Sequence, residues 1–381
     1  MSAGRVAATM PDVAAAMDVP GAAWAVVSGE RQVVTLGATG PVRRDTIFRI
    51  ASITKPIVAV LALALVEDGV LALDAPVDRW LPELSGRRVL RARDGALEDT
   101  VPAGRPTSLR DLLQMGLGIG WDMVTPGEAP WPSAVSRSDI VSTWTSPVVR
   151  PDRWAELAGA LPMAHQPGEG WLYQFSFDAV SVLIERATRR RLDLVLRERL
   201  LDRLDMHETG YSVGIRDVDR VSSALFPNRA GRFVEVAPWG DPRLMTVPVF
   251  RGGATGLLST VADLARFVQM LVREGRGPRG RVISPASVAL LRTDWLTGAA
   301  DAMAHEFLEP SMGWGLGFGV DREARYPGSH PGRFGWDGGT GTSLWVDPAS
   351  GVGGVLLTRQ GLGSPQPPAY LDAFWTAVHA P

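Results

Sequence analysis

Cysteine is absent from the 381 residues of the chain. A chain without thiols forms no disulfide bonds, holds no metal through thiolates and uses no cysteine nucleophile. Histidine is nearly as scarce, because only five occur, and no two of them are spaced as an i, i+4 or H-x-H pair. The sequence therefore predicts no metal site and no cofactor, so any catalytic group must come from other residue types.

An excess of charge of one sign is also lacking. The 39 basic and 41 acidic residues give a formal net charge of -2, and arginine is intermixed with aspartate and glutamate along the chain. No basic face or arm is available to neutralise phosphates, so nucleic acid is not an expected partner.

Long apolar runs are missing as well. Residues 1–19 have scattered charges rather than the apolar core of a signal peptide, which predicts a short amphipathic helix over residues 10–17 and a cytoplasmic location. The longest apolar run, residues 57–66, is too short to span a bilayer, which takes about 20 residues. We therefore expect a buried helix there and no membrane association.

Lysine is the rarest charged residue, because Lys55 is the only lysine and the other 38 basic residues are arginines. Lysine can lose its proton when it is desolvated, whereas arginine cannot. Lys55 ends the S-x-x-K motif Ser52-Ile53-Thr54-Lys55. Such a motif occurs by chance about once in a chain of this length, but a serine precedes the single lysine at this spacing with a chance of only about 6%. The pattern predicts a nucleophile, Ser52, and its base, Lys55.

A helix is expected from about Ser52 to Gly69, because apolar residues occupy every face from residue 57 onward and Gly69 supplies the C-terminal cap. Ser52 opens this helix and Lys55 follows one turn later, on the same face. The helix N-terminus favours negative charge at the Ser52 oxygen and on a bound oxyanion.

Strand patterns occur near both ends of the chain, and helical patterns lie between them. Strands are predicted at residues 22–28, 32–36, 316–320, 343–346 and 352–358, and helices at 109–114, 178–188, 192–201, 261–274 and 369–379. This order predicts an α/β (α+β) fold. One sheet domain is formed by residues 1–75 and 251–381, a mostly helical domain by 76–250, and the active site lies in the cleft between them.

Six segments together resemble the serine β-lactamases of class C, the D-alanyl-D-alanine peptidases and their esterase relatives, the family VIII carboxylesterases. They are DTIFRIAS (45–52), LDAPV (73–77), SLRDLL (108–113), QPGE (166–169), GLLST (256–260) and GWDGGTG (335–341). The resemblance covers nearly the whole chain. It implies the β-lactamase/DD-peptidase-like fold, with a central antiparallel sheet flanked by helices and a mostly helical inserted domain.

The second family motif, Y-x-N, is represented by Tyr173-Gln174-Phe175, which keeps the tyrosine and loses the asparagine. In the mechanism that the resemblance implies, Lys55 holds the Tyr173 phenol toward its anionic form, and together they take the Ser52 proton and return it to the leaving group. The alternative is a structural tyrosine that forms a hydrogen bond to a buried helix.

The third family motif, K-T-G or H-T-G on an edge strand, aligns with Trp336-Asp337-Gly338. Gly339 follows, and the resemblance implies that its backbone N–H and that of Ser52 form the oxyanion hole. Glycines here, Gly338 included, would let a substrate lie along the strand edge. A plain hairpin turn is the alternative for this glycine-rich stretch.

Phe175 and Trp336 replace two polar anchors of β-lactamases, the asparagine of the second motif and the lysine or histidine of the third. A site that lacks them and keeps Ser52, Lys55 and Tyr173 is similar to the esterase branch. Phe175, Trp336, Gly338 and Trp171 are the candidate substrate-binding residues. Tryptophans 121, 131, 171 and 336 lie in segments expected to border the cleft, which predicts an apolar acyl or alcohol pocket.

The leading hypothesis is a carboxylesterase that cleaves a small-molecule ester through an acyl-Ser52 intermediate. Acyl transfer to an alcohol or amine uses the same residues and stays open, as do β-lactamase or D-alanyl-D-alanine peptidase activity and a non-catalytic binding or sensing module. The sequence leaves the oligomeric state open.

Overall fold

A computed structural model describes residues 3–16, 19–29, 33–364 and 367–380. The α-helices of these residues are α1 (Ala3–Ala16), α2 (Thr54–Glu67), α3 (Leu109–Leu113), α4 (Pro130–Ser136), α5 (Pro151–Ala160), α6 (Phe175–Thr188), α7 (Leu192–Leu196), α8 (Val261–Val272), α9 (Pro285–Arg292), α10 (Gly298–Ala304) and α11 (Ala369–His379). Short 3-10 turns lie at Ala51–Ile53, Val77–Arg79, Pro82–Leu84, Asp202–Leu204, Val218–Arg220 and Pro242–Met245, with a π-helical turn at Arg197–Leu201.

The strands of the described residues are β1 (Ala22–Ser28), β2 (Val33–Thr39), β3 (Ile47–Arg49), β4 (Arg88–Leu90), β5 (Thr100–Pro102), β6 (Ala224–Pro227), β7 (Phe233–Ala237), β8 (Leu258–Thr260), β9 (Arg276–Gly277), β10 (Gly280–Arg281), β11 (Met312–Trp314), β12 (Gly319–Asp321), β13 (Phe334–Gly338), β14 (Thr342–Asp347) and β15 (Val352–Thr358). Seven of them form one antiparallel sheet in the order β11-β12-β13-β14-β15-β1-β2.

The two ends of the chain meet in this sheet, because β1 pairs with β15 from Ala22 opposite Thr358 to Ser28 opposite Val352. Strand β15 is buried along its whole length rather than at alternate residues. The reason is that helices cover both faces: Gly353 faces α8 and its neighbour Gly354 faces α11. The predicted α/β fold, a central antiparallel sheet flanked by helices, is confirmed.

Helix α2 runs through the centre of the molecule, and every residue from Thr54 to Leu65 is buried. This burial explains why the segment is apolar all round. The helix ends as predicted, since Gly69 follows it with a φ of +72°. Its start is tighter than predicted, because Ser52 lies in the 3-10 turn at Ala51–Ile53 and α2 begins at Thr54.

One strand prediction is wrong. Residues 316–320 were expected to be a single strand, but they contain the turn between β11 and β12, and only Gly319 and Val320 belong to β12. Gly317 causes the turn with a φ of +83°, and its N–H donates to the Leu113 carbonyl. At the other end of the chain, the helix predicted over residues 10–17 is part of α1, which begins earlier, at Ala3. Residue 17 of that predicted helix and residue 32 of the second predicted strand lie outside the described residues.

Residues 76–250 contain α3 to α7 and two small two-stranded sheets, β4-β5 and β6-β7. Helix α6 packs against both α2 and α3. This packing brings the residues just before α6 next to the start of α2. The division into two domains stays a prediction.

In the parts of the chain that the structure describes, no helix combines the length and the apolar character needed to cross a membrane. The cytoplasmic location inferred from the sequence stays a prediction.

Candidate active site

Ser52 is held in a tightly fixed turn between β3 and α2. Ala51, just before it, has a φ of +42°, a conformation that is uncommon for a residue with a side chain. The turn is anchored through Ile50, whose N–H donates to the Leu257 carbonyl at 3.0 Å and whose carbonyl accepts from the Thr342 hydroxyl at 3.1 Å. The backbone therefore presents the Ser52 side chain at a defined place at the start of the helix.

Lys55 lies one helical turn beyond Ser52 and is completely buried. Its Nζ is 2.9 Å from the Ser52 Oγ, 2.7 Å from the Gln174 Oε1 and 2.8 Å from the Ala254 carbonyl oxygen. Burial holds the pKa of Lys55 well below its usual range, and the nearby Asp178 carboxylate opposes part of that shift. The structure thus brings the predicted nucleophile and base into hydrogen-bonding contact and favours an uncharged amine.

Tyr173 precedes α6, and its hydroxyl accepts a hydrogen bond from the Trp336 Nε1 at 2.6 Å. The Lys55 Nζ lies 4.4 Å from the centroid of the phenol ring. Burial raises the pKa of Tyr173, although side-chain hydrogen bonds with Ser52 and Trp336 act in the opposite direction. The sequence-based mechanism holds the phenol toward its anionic form, whereas the structure favours the neutral phenol, which is a proton donor.

Aromatic rings surround Tyr173. The ring of Phe307 stacks on it with 4.5 Å between centroids, and Trp121, Trp171 and Trp314 lie at 5.4, 5.8 and 6.4 Å. These rings exclude water from the phenol, which explains the direction of its pKa shift. Phe307 was not singled out from the sequence, because it lies in a loop without a motif.

The third predicted motif lies at the end of β13. Among the residues that the structure describes, β12 pairs with Phe334 and Gly335 of this strand and with none of residues 336–338. Strand β13 therefore has a neighbouring strand on both sides at Phe334 and Gly335, whereas among the described residues its positions 336–338 pair only with β14. Gly338 lies so close to the Ile50 carbonyl oxygen that a Cβ on it would be 2.5 Å away, so only glycine fits there.

Gly339 begins the loop between β13 and β14, and a Cβ at this position would meet open space. The glycine-rich stretch therefore forms a hairpin turn, and Gly339 in it borders the same cavity as Ser52. The pairing of the Ser52 and Gly339 N–H groups as an oxyanion hole stays a prediction.

A cavity of about 910 Å³ opens in front of Ser52. Its walls carry mostly large apolar side chains: Trp121, Met123, Trp144, Phe226, Phe307, Leu308, Met312, Trp336 and Leu362. A second cavity of about 450 Å³ shares Ala51 and Trp144 with the first, so the Trp144 side chain stands between them.

The predicted substrate-binding residues fall into two groups. Trp336 lines the large cavity, whereas Trp171 and Phe175 are buried and do not contribute to its described lining. Trp131 is also buried, with its Nε1 donating to the Pro162 carbonyl. The tryptophan that sequence reasoning missed is Trp144, in a loop where no motif marked it.

Behind Lys55, away from the cavity, lies a group of buried polar residues that the sequence did not single out. Gln174, Ser142 and Asp178 are joined to one another and to Lys55 by hydrogen bonds. The sequence offered one signal for this group, which is that Gln174, at the middle position of the segment aligned with Y-x-N, is polar. Within the described part of the chain, no group of three or more histidine, aspartate or glutamate side chains has the arrangement of a metal site.

Comparison with known proteins finds relatives that match most of the chain in sequence. The chain is 34% identical to protein Rv1367c of Mycobacterium tuberculosis (strain ATCC 25618 / H37Rv) over 327 residues, which cover 83% of this chain and 78% of that protein. It is 29% identical to esterase EstB of Burkholderia gladioli over 357 residues, covering 88% of this chain and 83% of EstB.

Among solved structures, the fold matches EstCE1, described as a hydrolase with promiscuous acyltransferase activity. The TM-score is 0.82, with 22% identity and coverage of 99% of this chain and 98% of that one. The family model named Beta-lactamase matches residues 10–373. This match confirms the resemblance found in the motifs: the chain is a member of the beta-lactamase family.

Proposed function

We propose that the protein hydrolyses carboxylic esters through an acyl-enzyme formed on Ser52. The observation that carries the proposal is the 2.9 Å contact between the Ser52 Oγ and the Nζ of Lys55, a completely buried amine whose pKa is lowered by desolvation. An uncharged amine at this distance can take the hydroxyl proton as the oxygen attacks an ester carbonyl. Membership of the beta-lactamase family and the likeness to EstB support the proposal.

The proton has a complete route in this mechanism. It moves from Ser52 to Lys55 while the Oγ–carbonyl bond forms, and the backbone N–H groups of Ser52 and Gly339 stabilise the oxyanion. The neutral phenol of Tyr173 then gives its proton to the departing alkoxide, and the proton on Lys55 returns to Tyr173. Water attacks the acyl group in the second half of the cycle, with the same groups working in reverse.

The cavity points to an ester with a sizeable apolar part. Its volume of about 910 Å³ is within the range of sites that enclose drug-sized molecules. The mostly apolar walls around Ser52 offer contact to an acyl chain or an alcohol, and Arg325 of the described lining is paired with Glu309. We therefore expect p-nitrophenyl esters of medium acyl chains to be better substrates than the acetate.

Acyl transfer is the second candidate, and the pair of cavities that meet at Ala51 and Trp144 favours it. A transferase needs room for an acceptor alcohol or amine beside the acyl group, and a second cavity next to the first offers such room. The reported side activity of EstCE1 is in keeping with this candidate. Adding alcohol or amine acceptors to the acyl-enzyme reaction and searching for a transfer product by mass spectrometry separates the two.

The test of the proposed function is turnover of p-nitrophenyl acetate, butyrate and octanoate by the wild type and by Ser52→Ala. We expect turnover by the wild type, a mass increase on Ser52 equal to the acyl group, and loss of both in the variant. Ser133→Ala, which removes a hydroxyl far along the chain, is the matched control and should retain full activity. Stoichiometric acylation of Ser52 without turnover would contradict the proposal and favour a sensing module.

A further inference from the structure

A closed ring of hydrogen bonds lies behind Lys55, on the side away from the cavity. The Lys55 Nζ contacts the Gln174 Oε1 at 2.7 Å, and the Gln174 Nε2 donates to the Ser142 Oγ at 3.2 Å. The Ser142 hydroxyl donates to the Asp178 Oδ2 at 2.6 Å, and the Asp178 Oδ1 accepts from the Ala254 N–H at 3.3 Å. The Ala254 carbonyl closes the ring on the Lys55 Nζ at 2.8 Å.

The chemistry of the two acceptors decides where the Lys55 lone pair points. The Gln174 Oε1 and the Ala254 carbonyl oxygen can accept hydrogen bonds and cannot donate them. An uncharged amine has two N–H bonds and one lone pair. When both N–H bonds are directed at these oxygens, the third position around Nζ holds the lone pair, and that position faces the Ser52 Oγ.

The orientation of the Gln174 amide is itself determined by its neighbours. Its Nε2 also donates to the Thr143 carbonyl oxygen at 3.0 Å. If the amide were reversed, its oxygen would face this carbonyl oxygen, and neither of the two atoms can donate a hydrogen bond. The Ser142 hydroxyl points its proton at the Asp178 carboxylate, so its lone pairs are left for the Gln174 amide. The amide oxygen is thereby directed at Lys55.

The backbone at Gln174 supports a functional role for the side chain. Its φ is +95° and its ψ is -73°, a region that residues with side chains rarely occupy. Glycine would adopt this conformation without strain, yet the position holds a completely buried glutamine whose amide makes the three contacts described above. Strain of this kind persists where the surrounding structure enforces it, and functional sites are where it concentrates.

We propose that Gln174 is a positioning residue, held by Ser142 and Asp178, that directs the Lys55 lone pair at the Ser52 hydroxyl. The inference rests on the proposed function, because it assumes that Lys55 is the base for Ser52. In the segment aligned with the second family motif, the amide that contacts Lys55 belongs to the middle residue, Gln174, and Phe175 occupies the asparagine position.

The ring also places one charge close to Lys55. Asp178 on α6 and Tyr173 are the ionisable groups recorded around Lys55, and Asp178 in turn faces Tyr211. Burial raises the pKa of Asp178 to about 6, so the carboxylate form prevails above that pH. This anion favours the ammonium form of Lys55, so removing it should lower the pKa of Lys55 further, and adding a second anion should raise it.

The first test compares kcat and KM for p-nitrophenyl butyrate in Gln174→Met, which keeps the length of the side chain and loses the amide. We expect kcat to fall on the order of 10- to 100-fold, the usual effect of losing one strong hydrogen bond. KM should stay within about twofold of wild type, because Gln174 does not border the described cavity. Gln269→Met on α8 removes a half-buried amide far from Ser52 and should leave kcat unchanged.

The second test separates positioning from folding. Gln174→Gly relieves the backbone strain and removes the amide, so we expect an unfolding midpoint at or above that of Gln174→Met together with a kcat as low as in Gln174→Met. A stable Gln174→Gly enzyme with the kcat of the wild type would overturn the proposal.

The third test is the pH profile of kcat/KM. Gln174→Glu places a carboxylate on Lys55, so the acidic limb should move to higher pH and activity should be regained there. Asp178→Asn removes the anion, so the same limb should move to lower pH. General damage to the fold would not shift the limb in opposite directions, and an acidic limb that stays at its wild-type pH in both variants would overturn the proposal.

A failure of the positioning role of Gln174 can be distinguished from a failure of the proposed function. A fluorophosphonate probe phosphonylates an activated serine without needing a matched substrate, so its rate of reaction at Ser52 measures activation directly. Wild-type labelling that Gln174→Met does not slow would overturn the positioning role alone. Ester turnover that survives in Ser52→Ala would overturn the proposed function itself.

Discussion

Ser52 and Lys55 lie between two regions of opposite character. In front of them is an open cavity whose walls are mainly apolar, with Trp121, Trp144 and Trp336 among its lining residues. Behind them is a closed polar ring in which each described hydrogen-bonding group of Gln174 and Asp178 meets a partner within the protein.

In the proposed reaction, the two regions would act through different forces. The cavity would bind a substrate by contact area, which tolerates changes in shape at a modest cost. The ring would act on a proton through hydrogen bonds of fixed direction between buried groups, where one missing partner is expensive. Substitutions in the cavity should therefore change which ester is used, and substitutions around Lys55 should change whether any ester is used.

Lys55→Arg is expected to have the largest effect, because it places a permanent positive charge in the ring and removes the ability to lose a proton. We expect kcat/KM for p-nitrophenyl butyrate to fall by about 10⁴-fold, the upper end of the range for a lost general base. Arg216→Lys, the reverse exchange at an exposed position, should leave kcat/KM unchanged. An active Lys55→Arg enzyme would show that the ring does not serve a proton-accepting amine.

Tyr173→Phe tests the group that lies between the two regions. A neutral phenol acts as an acid, so its loss should matter most for leaving groups that need a proton. We expect kcat/KM to drop by about 10²- to 10³-fold for ethyl butyrate and by less than about tenfold for p-nitrophenyl butyrate. Equal losses for both esters would indicate that Tyr173 acts as a base, as the sequence-based mechanism has it.

Trp144→Ala should have the smallest effect on the rate and the clearest effect on specificity. Removing this wall joins the two cavities, so longer acyl chains gain space while the ring behind Lys55 stays intact. For chains longer than butyrate we expect kcat/KM to rise by about fourfold per additional methylene, the value of burying one CH₂. Trp239→Ala, outside the cavity, is the control, and an unchanged chain-length profile in Trp144→Ala would show that Trp144 does not separate the two spaces.

What could be predicted from the sequence depends on how far apart in the chain the interacting residues are. Ser52 and Lys55 are three residues apart, in a 3-10 turn and the α-helix that continues it, so local periodicity was enough to bring them together. The Tyr173 position required a family resemblance, which the comparison confirms at the level of the fold. Strand ends were less predictable, because at residues 316–320 Gly317 turned an apolar run into a hairpin.

Gln174 could not be assigned a role in advance. It lies 119 positions from Lys55 in the chain, and its contact depends on a backbone angle that no residue propensity favours. Ser142 and Trp144 are contributed by a loop whose course is set by tertiary packing, and no periodic pattern marks them. The resemblance to the Y-x-N motif drew attention to Phe175, whereas the amide that contacts Lys55 belongs to the residue before it.

The single lysine of the chain has a practical consequence for spectroscopy. Because Lys55 is the only residue with an ε-amino group, protein grown with isotope-labelled lysine contains one labelled side chain and yields one ε-carbon resonance. The chemical shift of that resonance reports the ionisation of this amine without assignment, and it can be followed during a titration in the free enzyme and in the acylated enzyme alike. The molecule thus carries its own probe for the proton that the proposed mechanism moves.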